Sequence, residues 1–180
     1  MSIDGGERPT TVLRADLGSD LLRASFALRT EVFVEEQGVP PELELDAEDA
    51  RSTTRHLVVP APESDGADGA DGADGEPVVL GSVRWIVEPA GFGETDPAWG
   101  PIAHLQRLVV ARSARGLGLG ALLVTAVEDD ATTEGFAAVV LAAQLQALGF
   151  YERSGYVAHG DVFDDAGIPH RWMTKRLGSA

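Results

Sequence analysis

The stretch Val109–Val124, VVARSARGLGLGALLV, constrains the fold of this chain more than any other. One apolar run enters it and another leaves it. Between them Gly116, Gly118 and Gly120 alternate with leucines, directly after Arg112 and Arg115. The start of a helix leaves backbone N–H groups without partners and carries partial positive charge. Glycine lets that backbone approach a ligand with no Cβ in the way. A strand running through a glycine-rich turn into a helix is therefore a phosphate cradle. The formal net charge is −15, so an anionic ligand must be held by a local positive site against the overall field. Arg112 and Arg115 supply that charge.

Two phosphate cradles are disfavoured. A P-loop needs Gly-Lys-Ser/Thr, and Gly120 is followed by Ala121 and Leu122. The dinucleotide fingerprint is formally met by Gly116, Gly118 and Ala121. However, Ala111–Arg115 separate it from its strand, and the next strand ends in Ala142-Ala143-Gln144 instead of an acid.

Hydrophobic periodicity predicts a helix over Asp20–Val34, with Ser19 or Asp20 as N-cap, ended by Gly38 and Pro40-Pro41. Strands are expected at Arg55–Val59, Val78–Val87 and His104–Val110, with a Gly/Pro-rich loop at Glu88–Pro101. A helix at Gly118–Glu134 and a strand buried on both faces at Ala137–Ala143 follow. A short helix at Gln146–Ser154 leads to strands Tyr156–Val162 and Arg171–Leu177, joined by the turn Asp164–Pro169. This order gives an α/β (α+β) chain with one mixed sheet, a single domain over 1–180. Pro60–Pro77 repeats Gly-Ala-Asp with almost nothing to bury, which predicts a disordered acidic loop.

The chain has no cysteine, so a disulfide, a thiolate metal site and a cysteinyl intermediate are excluded. Its four histidines show no metal-ligand spacing. No apolar run is of membrane-spanning length, and MSIDGGERPT has no signal-peptide pattern, so a cytoplasmic protein is expected. The acidity argues against general nucleic-acid binding.

Arg115-Gly116-Leu117-Gly118-Leu119-Gly120 resembles the Q/R-x-x-G-x-G/A motif of the GNAT superfamily of acyl-CoA-dependent N-acyltransferases. In that family the turn and helix start hold the coenzyme A pyrophosphate. Leu108-Val109-Val110 looks like the strand whose backbone pairs with the pantetheine arm. Leu141–Tyr156, LAAQLQALGFYERSGY, looks like the family's later strand–helix piece. LRTEVFVEEQ (Leu28–Gln37), Asp46, Asp49, Arg55-His56 and FDDAGIPHRWM (Phe163–Met173) are together similar to the ElaA-like branch. The resemblance runs from about Arg29 to Leu177. The acidic repeat departs from it, as does Gln144, where many members carry an asparagine. It implies a GNAT-like domain with a central mixed, mostly antiparallel twisted sheet flanked by helices. It also implies acetyl-CoA as co-substrate, a small-molecule or peptide amine as acceptor, no metal, and a homodimer as one assembly open to the chain.

Acyl transfer from a thioester to an amine needs a held cofactor, a polarised carbonyl, a neutral amine and a proton for the leaving thiolate. The resemblance casts Tyr151 as the acid. Val109 is expected to give the backbone N–H to the thioester oxygen, with Gln144 on the cofactor. For the base, histidine titrates in the right range. His170 ranks first because GIPH resembles the branch's signature, with His104 and His56 behind it. Arg29, Phe33, Glu35, Asp49 and His56 would frame the acceptor cleft, with Glu36 and Asp46 adding negative charge. Three other functions stay open at this point: an acyl-homoserine-lactone-type synthase, a non-catalytic acyl-CoA sensor, and an interaction module using the acidic repeat.

Overall fold

The computed structural model describes residues 11–62 and 77–178. Most of the Gly-Ala-Asp repeat, residues 63–76, lies outside the described residues, and so does the expectation of a disordered loop there.

Seven strands form one sheet: β1 (Leu13–Arg14), β2 (Arg55–Pro60), β3 (Val79–Glu88), β4 (Ile102–Val110), β5 (Ala138–Gln144), β6 (Val157–Asp165) and β7 (Ile168–Arg176). Their spatial order is β1-β2-β3-β4-β5-β7-β6. Every neighbouring pair is antiparallel except β4 and β5. The sheet is mixed, as the order of elements predicts, and mostly antiparallel, as the family resemblance implies.

Helix α3 (Leu119–Thr133) packs on one face of the sheet. Leu123, Val124 and Val127 are fully buried against Val83, Trp85, Leu105 and Leu141. Trp85 Nε1 donates to Asp130 Oδ2 at 3.0 Å and pins the helix to β3. Helix α1 (Asp20–Arg29), capped by Ser19 accepting from the Leu22 N–H, covers the other face through Leu22 and Leu28. The short helices α2 (Pro41–Glu44) and α4 (Leu148–Arg153) complete the fold.

Four local departures from the expected elements position the site. The helix expected over Asp20–Val34 is α-helical only to Arg29, and Thr30–Glu36 winds on as a π-helix, with Gln37 N–H donating to Val32 O. The wider turn brings Val32, Phe33, Glu36 and Gln37 to one wall. Strand β4 is longer than expected and bulged. Ser82 pairs with Val109 and Arg84 with Gln106, so Arg107 and Leu108 together face Val83. Arg107 sits at φ 54°, a left-handed conformation costly to a residue with a Cβ. Its guanidinium, bonded to Leu43 O at 2.8 Å and Glu44 O at 3.2 Å, holds it there. The turn expected over Asp164–Pro169 is only Ala166-Gly167, both at positive φ as a two-residue hairpin requires. His170 therefore lies in strand β7, opposite Gln144 on one side and Phe163 on the other. The loop Glu88–Pro101 carries two short 3-10 turns, and its Phe92 and Trp99 pack on Ile102, Val140 and Trp172.

Candidate active site

Strands β4 and β5 pair only through Ala103–Val139 and His104–Val140. Beyond His104 they diverge, and the opening becomes a cavity of about 1040 Å³. That is at the upper end of ligand sites, with room for a large cofactor and a second reactant.

The glycine turn forms one mouth of the cavity. Gly116 and Gly118 have φ of 83° and 85°, and a Cβ on either would meet no heavy atom within 4 Å. Both are demanded by backbone conformation, and both leave the start of α3 uncovered. Gly120 has a different role. A Cβ there would lie 3.2 Å from the Phe150 ring, so this glycine lets α3 pack against α4. Arg115 lines the cavity, but Glu36 engages it at 2.8 Å and lies 3.4 Å from Arg112. The Arg115 hydrogen bond leads in holding the Glu36 carboxyl below its ordinary pKa.

Along the β4 wall, Ala111 N–H donates to Leu80 O on β3 at 2.9 Å. Strand alternation then turns the N–H of Val109, paired with Ser82, toward β3 as well. Leu108 and Val110 direct their polar groups the opposite way, into the opening. Consistent with this, Val110 O accepts from Arg115 Nε at 3.2 Å. Val109 is thus corrected as the expected oxyanion donor: it lines the cavity, but its N–H belongs to the β3 ladder.

Tyr151 of α4 lines the cavity from the opposite wall. Burial raises its phenol pKa further above the ordinary range, so the hydroxyl keeps its proton. His170 Nδ1–H donates to Ile168 O at 2.8 Å, which leaves Nε2 with its lone pair. His104 has the opposite tautomer. Arg84 donates from Nε and Nη2 to Gln106 Oε1 at 3.0 and 2.6 Å, fixing which end of that amide is oxygen. Gln106 Nε2 then donates to His104 Nδ1 at 2.9 Å, so the His104 proton is on Nε2. Burial lowers the His104 pKa against the pull of Glu88, 3.3 Å away.

The cavity thus gathers Phe33, His104, Leu108, Val109, Val110, Arg115, Gly116, Gly118, Leu119, Gly120, Gln144, Tyr151 and His170. Gln144 Nε2 donates to Gln37 Oε1 at 2.9 Å across the opening. Leu117 and Glu35 are exposed and outside the wall. Arg29, Asp49 and His56 are also placed elsewhere, in a buried charge network beneath the site. Arg29 binds Glu44 and grips Asp49 with bonds of 2.7 and 3.1 Å; Asp49 also meets Arg84 at 2.8 Å; Asp46 takes Arg84 and Arg107. Burial works against the Asp49 charge, but the Arg29 bonds and the Arg29 and Arg84 charges prevail and bring its pKa down to about 2. His56 is buried with Nε2 3.2 Å from Asp49 O, and burial lowers its pKa. Of the acids expected to line the cleft, Asp46 and Asp49 are instead neutralised by arginines below it, while Glu36 does line the cavity but is engaged by Arg115.

The sequence reading missed Gln37, Phe163, Asp165 and Trp172 as wall residues. Alternation along β6 and β7 carried the signal for the last three, once the turn is known to be two residues long. Among the described residues no group of three or more His, Asp or Glu is placed to hold a metal ion, and no helix is long and apolar enough to cross a membrane.

A family model described as an acetyltransferase (GNAT) domain matches residues 83–177. A Bacillus subtilis relative described as the uncharacterized N-acetyltransferase YjcF is 36% identical over 155 residues, 86% of this chain and 91% of its own. The crystal structure of an acyl-CoA N-acyltransferase from Pseudomonas aeruginosa superposes with a TM-score of 0.68 at 31% identity, covering 92% of this chain and 97% of that one. Escherichia coli ElaA shares the fold, with a TM-score of 0.67 at 23% identity and the same coverage.

Proposed function

The chain belongs to the GNAT acetyltransferase family, and we propose that it moves an acetyl group from acetyl-CoA to a primary amine of a small molecule or peptide, by direct attack in a ternary complex. One observation carries the reading: the β4–β5 opening joins an uncovered glycine turn, inward-facing strand amides, a protonated tyrosine and a histidine with a free lone pair in one cavity.

The residues present fit coenzyme A. Gly116, Gly118 and the start of α3 offer unpartnered N–H groups to a pyrophosphate, and Arg115 adds charge once it leaves Glu36. Leu108 and Val110 present strand-edge groups to an amide-bearing arm. Bound acetyl-CoA supplies an activated acetyl thioester. Leu108 N–H polarises the carbonyl oxygen. His170 Nε2 takes a proton from the amine. As the N–C bond forms and the C–S bond breaks, Tyr151 protonates the departing sulfur. His104, with its proton on Nε2, orients a substrate as a donor and is not the base.

The test is acetyl-CoA-dependent thiol release with a panel of amines. The reading expects amine-dependent turnover that Tyr151→Phe suppresses while acetyl-CoA affinity is kept. Turnover unchanged in that variant removes the tyrosine from the reaction.

A further inference from the structure

The acceptor end of the cavity is walled by rings more than by charge. Phe163 and Trp172 lie 5.1 Å apart at 33°, and His170 stacks on Phe163 at 6.1 Å and 25°. His104 stands 5.9 Å from Trp172, and Phe33 reaches the cavity from the π-helix. Phe163 and Trp172 are only half-buried. The indole is a rigid platform: Phe92 packs edge-on at 5.4 Å, and a Cβ on Gly93 would lie 3.2 Å from the ring.

Negative charge is sparse on this wall. Among the described residues its carboxylates are Glu36 and Asp165, and Glu36 is engaged by Arg115. Glu44, Asp46 and Asp49 are held by arginines below. Arg107, Arg115 and Arg153 also line the cavity. A polycation would meet a single carboxylate, exposed Asp165 at the end of β6, and several guanidinium groups. A flat apolar body carrying one amine would meet aromatic faces, and an ammonium is attracted to such faces before it loses its proton.

Resting on the acetyltransferase reading, we propose that the acceptor is a monoamine on an aromatic body, an arylalkylamine, seated against the Phe163–Trp172 wall with its nitrogen toward His170. Asp165 draws the cation in, and the rings select its body.

The experiment measures kcat/KM at saturating acetyl-CoA for 2-phenylethylamine, tyramine and tryptamine against hexylamine, spermidine and kanamycin. Acetyl-CoA binding is measured calorimetrically on every variant. The arylalkylamines are expected to exceed hexylamine by about tenfold, the scale of one good aromatic contact. Trp172→Leu and Phe163→Leu should each erase that margin at unchanged acetyl-CoA affinity. Preference for spermidine or kanamycin, or an aryl margin that survives both variants, overturns the proposal. Protein that binds acetyl-CoA but ignores the arylalkylamines overturns the acceptor class alone. Folded protein that binds no acetyl-CoA overturns the reading beneath it.

Discussion

Replacing Arg29 by leucine should cost far more than a surface ion pair, with a pH signature of its own. Arg29 is 1% exposed, and its partners Glu44 and Asp49 are nearly as buried. Removing one member of a buried ionic cluster leaves uncompensated charge, typically at a cost of 3–5 kcal/mol. Asp49 keeps Arg84 at 2.8 Å and Glu44 keeps Arg107 at 3.3 Å, so the lower end, about 3 kcal/mol, is expected. For a domain of this size that lowers Tm by about 6–12 °C. The Asp49 carboxyl is held down at about 2 in the folded protein. A depressed carboxyl contributes stability that is present above its unfolded pKa, near 3.9, and is lost as pH falls through the folded value. Taking away Arg29 shrinks that contribution. The gap between wild type and Arg29→Leu should therefore be widest near neutral pH and narrow as pH falls, first as Glu44, whose carboxyl burial holds above its ordinary pKa, takes up a proton, and then as Asp49 does between about pH 4 and 2. Urea unfolding followed by tryptophan fluorescence, at neutral pH and at about pH 3.5, reads both quantities. A loss below about 1 kcal/mol at neutral pH, or one that does not change with pH, refutes the reasoning.

Other outcomes follow from the cavity. Tyr151→Phe should lower kcat by about a hundredfold or more with acetyl-CoA affinity unchanged, the usual scale for a lost general acid. His170→Gln should lower kcat with acetyl-CoA affinity unchanged, and His104→Gln should mainly raise the acceptor KM, as read from steady-state kinetics of the two variants. Glu36→Gln should release Arg115 and tighten acetyl-CoA binding in calorimetry; weaker binding would mean that Glu36 holds the arginine in its working position. Gly120→Val would drive a side chain into Phe150 and should cost about 1–3 kcal/mol in unfolding experiments.

Much of this fold can be read from local pattern. The strand Ala138–Gln144 is written as the continuous apolar run Ala137–Ala143, and the turn into α3 in its glycines, so both are legible from neighbours in sequence. The π-winding of Thr30–Glu36 and the bulge at Arg107 are not. The bulge depends on partners far along the chain: the Leu43 and Glu44 carbonyls hold Arg107 in a left-handed conformation. The candidate site divides along the same line. Gly116, Gly118, Tyr151 and His170 sit in motifs and meet in the cavity. Asp46 and Asp49 read as cleft acids because sequence shows charge without its counter-charge; Arg29, Arg84 and Arg107 arrive only when the chain folds. Which amides face the opening is decided by a one-residue bulge invisible in sequence, so the N–H of Val109 is directed to β3 against expectation.

The central claim is that the glycine turn and the β4–β5 opening hold acetyl-CoA. Calorimetric titration of the purified protein with acetyl-CoA, with NAD and ATP as controls, tests it most directly. Selective binding of acetyl-CoA that is lost in the Arg115→Ala, Gly118→Val double variant is expected. Well-folded protein that binds no acetyl-CoA, or a double variant that binds it as well as wild type, would contradict it.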